Sequence, residues 1–113
     1  MNLTPQNLAH MYTMLKGLRP FNRWKLPPLE EIRFEVTNDV DSLGTYCFIE
    51  DIHVITISRA KNGHLDTIIK TLAHEIIHMC RGKHPYKYLV HDAYFLKRSQ
   101  AVALEFGFDP LEL

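Results

Sequence analysis

The chain reads as an α+β protein. An N-terminal helix comes first, then a small three-stranded, mainly antiparallel sheet, then two more helices packed on one side of it. Three observations predict this order. Apolar spacing is helical near the N-terminus, alternates between Ile32 and Ser58, and turns helical again from Leu65. The changes of period fall at clusters of Pro, Gly, Asn and Asp. The length of 113 residues suits one domain over residues 1–113, large enough for a core without disulfides.

Each element has its own signal. Thr4-Pro5 is an N-cap followed by proline at the first helical position. Leu8, Met11, Tyr12 and Leu15 follow at helical spacing, and Gly17 stops the helix. Pro20 and Pro27-Pro28 make the stretch around Trp24 a loop. Ile32, Phe34 and Val36 alternate with polar residues and predict the first strand. Asn38-Asp39 and Ser42-Leu43-Gly44 are turn material, and Tyr46 to Ile49 is the second strand. Glu50-Asp51 is a tight reversal into a third, β-branched strand carrying Ile52, Val54, Ile55 and Ile57, and Asn62-Gly63 closes the sheet region. Leu65, Ile68, Ile69, Leu72, Ala73, Ile76 and Ile77 then trace one buried helical face. Gly82 suits a C′ position and Pro85 lies just beyond it, so this helix ends near Arg81. A last helix runs from about His91 to Phe106 and ends at Gly107.

Composition excludes several classes. The chain is 46% apolar and 23% charged, ordinary for a soluble protein. Thirteen basic residues balance thirteen acidic ones, which argues against a generic polyanion binder. Two local basic clusters, Arg19/Arg23/Lys25 and Arg81/Lys83/Lys87, read as solvated surface. Cys47 and Cys80 are too few for a disulfide framework and sit in no zinc-ribbon spacing; they read as reduced thiols of a cytoplasmic protein. Residues 1–16 lack a charged segment followed by an apolar one, so they are no signal peptide. No apolar run approaches a bilayer span, which argues against a membrane partner.

The chemistry concentrates at His74-Glu75-Ile76-Ile77-His78, inside the strongest helix. Histidines four residues apart share a helical face and can converge on one zinc ion. Glu75 projects beside them, placed to reach a water on the metal without binding the metal. In this HExxH arrangement zinc acidifies the water, Glu75 acts as general base and the metal polarises a scissile carbonyl. Chance alone would give an HExxH in roughly one such chain in 40, so context has to carry the reading. At 100° per residue the apolar stripe centres near Leu72 and Ile76. His74 and His78 fall nearly opposite, with Thr67 and Thr71, and so lie outside the main core stripe.

A catalytic zinc site needs a third protein ligand. His91 is the leading candidate, His84 the alternative and Glu105 a weaker third. His84 would complete HExxHxxxxxH, the metzincin spacing. In metzincins a glycine stands three residues after the second histidine and a methionine turn follows. Here that place is Arg81, and the last methionine is Met79. His91 opens the final helix, and residues 82–90 are long enough to bring it back to the metal.

His74-Glu75-x-x-His78 followed by His91-x-x-x-Phe95 resembles the SprT-like zinc metallopeptidases, whose signature is HExxH and then an HGxxF-like segment opening a helix. The glycine of that segment is Asp92 here. Gly44, the alternating strand Ile52 to Ser58, the motif helix and the segment Glu105-Phe106-Gly107-Phe108-Asp109 follow that family's order, so the resemblance covers roughly residues 27–110. It implies a zincin-like fold, a Zn2+ cofactor, metal ligands His74, His78 and His91, and hydrolysis of a protein or peptide substrate. Proteins associated with nucleic acid are one substrate class it suggests. The C-terminal zinc ribbon of many members is missing, so only the core domain is expected and nucleic acid is a weaker candidate partner.

Further roles stay open. By analogy with zincins, the strand His53 to Ser58 is a candidate edge strand for pairing with an extended substrate. Asp92 and Asp66 are candidates to orient the imidazoles. Tyr86, Tyr88 or Tyr94 are candidates to stabilise an oxyanion, and Cys80 reads as core. Two other functions compete: a non-catalytic zinc-binding or docking module, against which Glu75 counts, and a regulatory protease of the ImmA/IrrE type. The latter family places an acidic ligand soon after the motif, and no Asp or Glu lies between Glu75 and Asp92.

Overall fold

A computed structural model of the protein describes residues 2–81, 91–109, 111 and 113. Helix α1 (Pro5–Lys16) is followed by strands β1 (Ile32–Thr37), β2 (Gly44–Ile49) and β3 (Ile52–Ser58), then helices α2 (Leu65–Arg81) and α3 (Ala93–Phe106). Thr4 caps α1 as its sequence indicates, its Oγ1 accepting from the Asn7 amide at 3.1 Å. Short 3₁₀ turns at Phe21–Arg23 and Leu29–Glu31 shape the segment around Trp24. The Tyr12 hydroxyl anchors that segment by donating to the Pro27 carbonyl at 2.6 Å.

The sheet is mixed rather than mainly antiparallel. Its order is β1-β3-β2; β2 pairs with β3 antiparallel, and β1 pairs with β3 parallel. The expected tight reversal at Glu50-Asp51 is present, and both residues take positive φ (51° and 64°), the geometry of a two-residue hairpin turn. The parallel pairing arises one connection earlier. Residues 38–43 cross the C-terminal end of β3 and leave β1 on its far side. Backbone bonds from Ser58 N to Leu43 O (2.9 Å) and from Arg59 N to Thr37 O (2.7 Å) hold the crossing, and Ser58 Oγ donates to Asp39 O.

This topology corrects the edge-strand expectation. His53 to Ser58 lies in the central strand, and β1 and β2 are the outer strands of the described sheet. Its residues suit the place: Val54, Ile55 and Ile57 are buried, and the β-branched run pairs along both edges, with β1 and with β2.

The core lies between one sheet face and helices α1 and α2. Register puts Phe34, Ile55 and Tyr46 side by side on that face. Leu8, Tyr12 and Leu15 of α1 and Leu72, Ile76 and Ile77 of α2 cover it, all fully buried. Each such aliphatic side chain contributes about 1.5–3 kcal/mol. Helix α3 packs against α2 and buries Phe95, Ser99, Val102 and Ala103. Leu65, counted with the buried face in the sequence, is exposed in the first turn of α2. Among the described residues no helix is long and apolar enough to cross a membrane. Cys47 and Cys80 form no disulfide.

Candidate metal centre

Helix α2 sets the first two histidines of the candidate centre. His74 and His78 sit one turn apart with their Nε2 atoms 3.2 Å apart. The third histidine comes from the residue before the α3 N-cap. His91 Nε2 lies 3.1 Å from His74 Nε2 and 3.2 Å from His78 Nε2. Among the described residues this is the one group of three or more His, Cys, Asp or Glu side chains placed to hold a metal ion. His84, Tyr86 and Tyr88 lie outside the described residues. Glu105 is exposed near the far end of α3 and is not part of the group.

The triangle can be tested against metal geometry. Nitrogens bound tetrahedrally at about 2.0–2.1 Å are separated by about 3.3 Å. The observed edges of 3.1 to 3.2 Å match closely. Three ring nitrogens facing one point satisfy each other poorly as hydrogen-bonding groups, because one neutral imidazole offers one proton. They fit a shared cation well. The site also lies in the last turns of α2, where the helix dipole favours positive charge.

Burial completes the electrostatics. Burial, then the neighbouring His91, lowers the His74 pKa to about 4. Burial, then His74 and His91, lowers that of His78 to about 3. Both rings therefore stay neutral, the form that binds metal, across the neutral and mildly acidic range. Burial raises the Glu75 pKa to about 8.

The sequence placed the histidine face of α2 outside the core stripe. The structure covers that face. Glu75 is 5% and His78 6% exposed. The cover is Phe95, which helical periodicity did not assign to the site. Its ring centroid lies 4.7, 4.6 and 4.5 Å from those of His74, His78 and His91. The signal available was its spacing four residues after His91, in a helix opening at the third histidine.

Asp92 acts on the backbone. Its carboxylate caps α3 by accepting from the Phe95 amide at 3.2 Å, and it holds Arg81 through two contacts of 2.9 and 2.5 Å. The end of α2 is thus tied to the start of α3 on either side of His91. Asp66 lies eight residues before His74, about 12 Å along the helix, and is exposed, so it does not orient these rings. Tyr94 donates to the Cys80 carbonyl at 3.2 Å and packs with Arg81 and Arg98. Cys80 is half-buried against the core, and burial raises its thiol pKa to about 11.

A cleft of about 520 Å³ opens beside the triangle, between Ser42, Leu43 and Gly44 on one side and Thr67, Lys70, Thr71, His74 and Glu75 on the other. Gly44 sets its width. A Cβ there would stand 2.8 Å from Thr56 O and 2.9 Å from Thr71 Cγ2, so glycine lets β2 begin directly against α2. A buried network locks the same junction. Thr71 Oγ1 donates to Asn62 Oδ1 at 2.7 Å, and Asn62 Nδ2 donates to Ser58 O at 2.7 Å and Leu43 O at 3.0 Å.

Compared with known protein families, curated proteins and solved structures, the chain matches none.

Proposed function

We propose that this protein is a zinc-dependent peptidase of the HExxH class, acting in the cytoplasm and similar in its site residues to the SprT-like metallopeptidases. The observation that carries the reading is the triangle of His74, His78 and His91 Nε2 atoms, with Glu75 lining a cleft beside it. Zinc on those three nitrogens would supply Lewis acidity, acidifying water and drawing charge onto a scissile carbonyl oxygen. Glu75 would take the proton of the attacking water as that water adds to the carbonyl, and would pass it to the amine as the peptide C–N bond breaks. Its burial prepares it for both steps. In the metal-free protein the carboxyl is pushed up to about 8, and a cation on the adjacent imidazoles favours the ionised form that accepts a proton.

The cleft between Ser42–Gly44 and Thr67–Glu75 is of a size that takes a ligand segment. A peptide placed in it would pass the start of β2 and bring a carbonyl to Glu75. A purely structural zinc site closes its coordination with four protein ligands; among the described residues three gather here, with a buried carboxylate next to them. Metal analysis should give about one zinc per chain. Glu75→Gln should keep that zinc and lose hydrolysis of a denatured protein substrate by at least about 100-fold. Unchanged activity, or loss of zinc in that variant, would contradict the assigned roles.

A further inference from the structure

Helix α3 has two sides. Phe95, Ser99, Val102 and Ala103 are buried on the inner one. The outer one carries Leu104 at 86% and Leu96 at 51% exposed. A single exposed leucine needs no explanation, but these two belong to a pattern. Residues four apart on a helix stack into rows, and the outer side of α3 holds two of them. One is Leu96-Gln100-Leu104, the other Lys97-Ala101-Glu105, and all six residues are exposed. Lys97 and Glu105 stand about 12 Å apart along the axis, too far to pair with each other. Neither forms an ion pair with another described residue.

We propose that this side of α3 pairs with the same side of a second copy of the chain, the two helices antiparallel about a two-fold axis between residues 100 and 101. Reversing the direction makes each row its own complement. Leu96 meets the partner's Leu104, and Leu104 the partner's Leu96. Gln100 meets the partner's Gln100, and two primary amides both donate and accept. In the second row Lys97 meets the partner's Glu105, and Glu105 the partner's Lys97. Ala101, at the axis, ends at Cβ and lets the helices approach closely. A self-complementary patch of this kind is what a closed dimer requires, whereas an unrelated partner calls for no such symmetry. Parallel helices would set Lys97 against Lys97 and Glu105 against Glu105, so charge selects the antiparallel pairing. Size sets the strength. The 14 residues of α3 span about 21 Å. One face of that length buries roughly 800–1,000 Å² in total, the range of weak, transient association. Phe95, which walls the candidate metal centre, lies on the inner side of the helix. The contact therefore leaves that centre free, and it needs neither metal nor hydrolysis.

Sedimentation velocity of the full chain, under reducing conditions and from about 5 to 500 μM, tests the pairing in the range expected of a small interface. The average mass should rise with concentration from that of one chain toward that of two. Leu104→Lys should weaken the association by about tenfold or more. Lys97→Glu should weaken it about fivefold, because two attractive contacts become repulsive. Adding Glu105→Lys to Lys97→Glu should restore it, since the exchanged charges face each other again. All three positions are exposed, so circular dichroism should not change. A chain that stays monomeric over the whole range would overturn the proposal and leave this face to a different partner. Wild-type association in Leu104→Lys would overturn it as well. A double variant no stronger than Lys97→Glu would overturn the antiparallel pairing and the proposal with it.

Discussion

Phe95 meets all three imidazoles with a single ring, and it is 2% exposed. Shortening it to alanine removes the shared wall of the triangle as well as core volume. Phe95→Ala should cost about 3–5 kcal/mol in chemical unfolding and weaken zinc binding in a competitive chelator titration. Wild-type zinc affinity in a folded Phe95→Ala would show that the ring serves packing alone. The titrating groups make a second prediction. Folded His74 and His78 hold pKa values of about 4 and about 3, well below an unfolded imidazole near 6.5. The unfolded chain therefore binds the extra protons, and metal-free protein should lose stability as pH falls below about 6.5. Glu75 acts in the opposite sense. Its folded pKa of about 8 lies above the unfolded value, so stability also falls as pH rises toward 8 and the buried carboxyl is forced to ionise. Metal-free melting temperature should peak in the mildly acidic range, and Glu75→Gln should remove the decline on the alkaline side. A decline that persists in Glu75→Gln would assign it to another group.

At the scale of elements, the two helices that carry the triangle are joined by Asp92, which caps α3 and pairs with Arg81. Asp92→Ala should destabilise the fold by about 1 kcal/mol through the lost cap and lower zinc affinity further, because His91 is the adjacent residue. The Thr71–Asn62–Leu43 network plays the corresponding part for the cleft. Thr71→Val leaves Asn62 Oδ1 without that donor in a buried site, at about 1–3 kcal/mol. It should raise KM more than it lowers kcat, since the cleft wall shifts while His74 and Glu75 stay on their helix. Most elements were legible from the chain: the Thr4 cap, the alternation of β1, the Glu50-Asp51 turn and the periodic stripe of α2 are local signals. Strand order was not. The crossing of residues 38–43 rests on Ser58 and Asn62, nineteen residues away in the chain, and periodicity contains no term for a partner that remote.

For the molecule as a whole, the site depends on contacts between α2 and α3, and its legibility followed the same division. His74, Glu75 and His78 could be read from one helix. His91 was reached from its place at the start of the last helix, with a resemblance in support, and the structure gathers it with them. The burial of the histidine face could not be read, because it is supplied by a residue seventeen positions beyond His78. Because the three histidines come from α2 and from the residue before the α3 cap, a metal bound to the folded chain alone should stabilise it by mass action. Zinc should raise the melting temperature and a chelator should lower it; the shift should vanish when His91 is replaced by alanine.

The most direct measurement is a crystal structure of zinc-soaked protein with anomalous data at the zinc edge. One strong peak should lie equidistant from the Nε2 atoms of His74, His78 and His91 at about 2.0–2.1 Å, beside the Glu75 carboxylate. A peak coordinated by His84 in place of His91, or imidazoles turned apart with no zinc between them, would contradict the assignment of this centre.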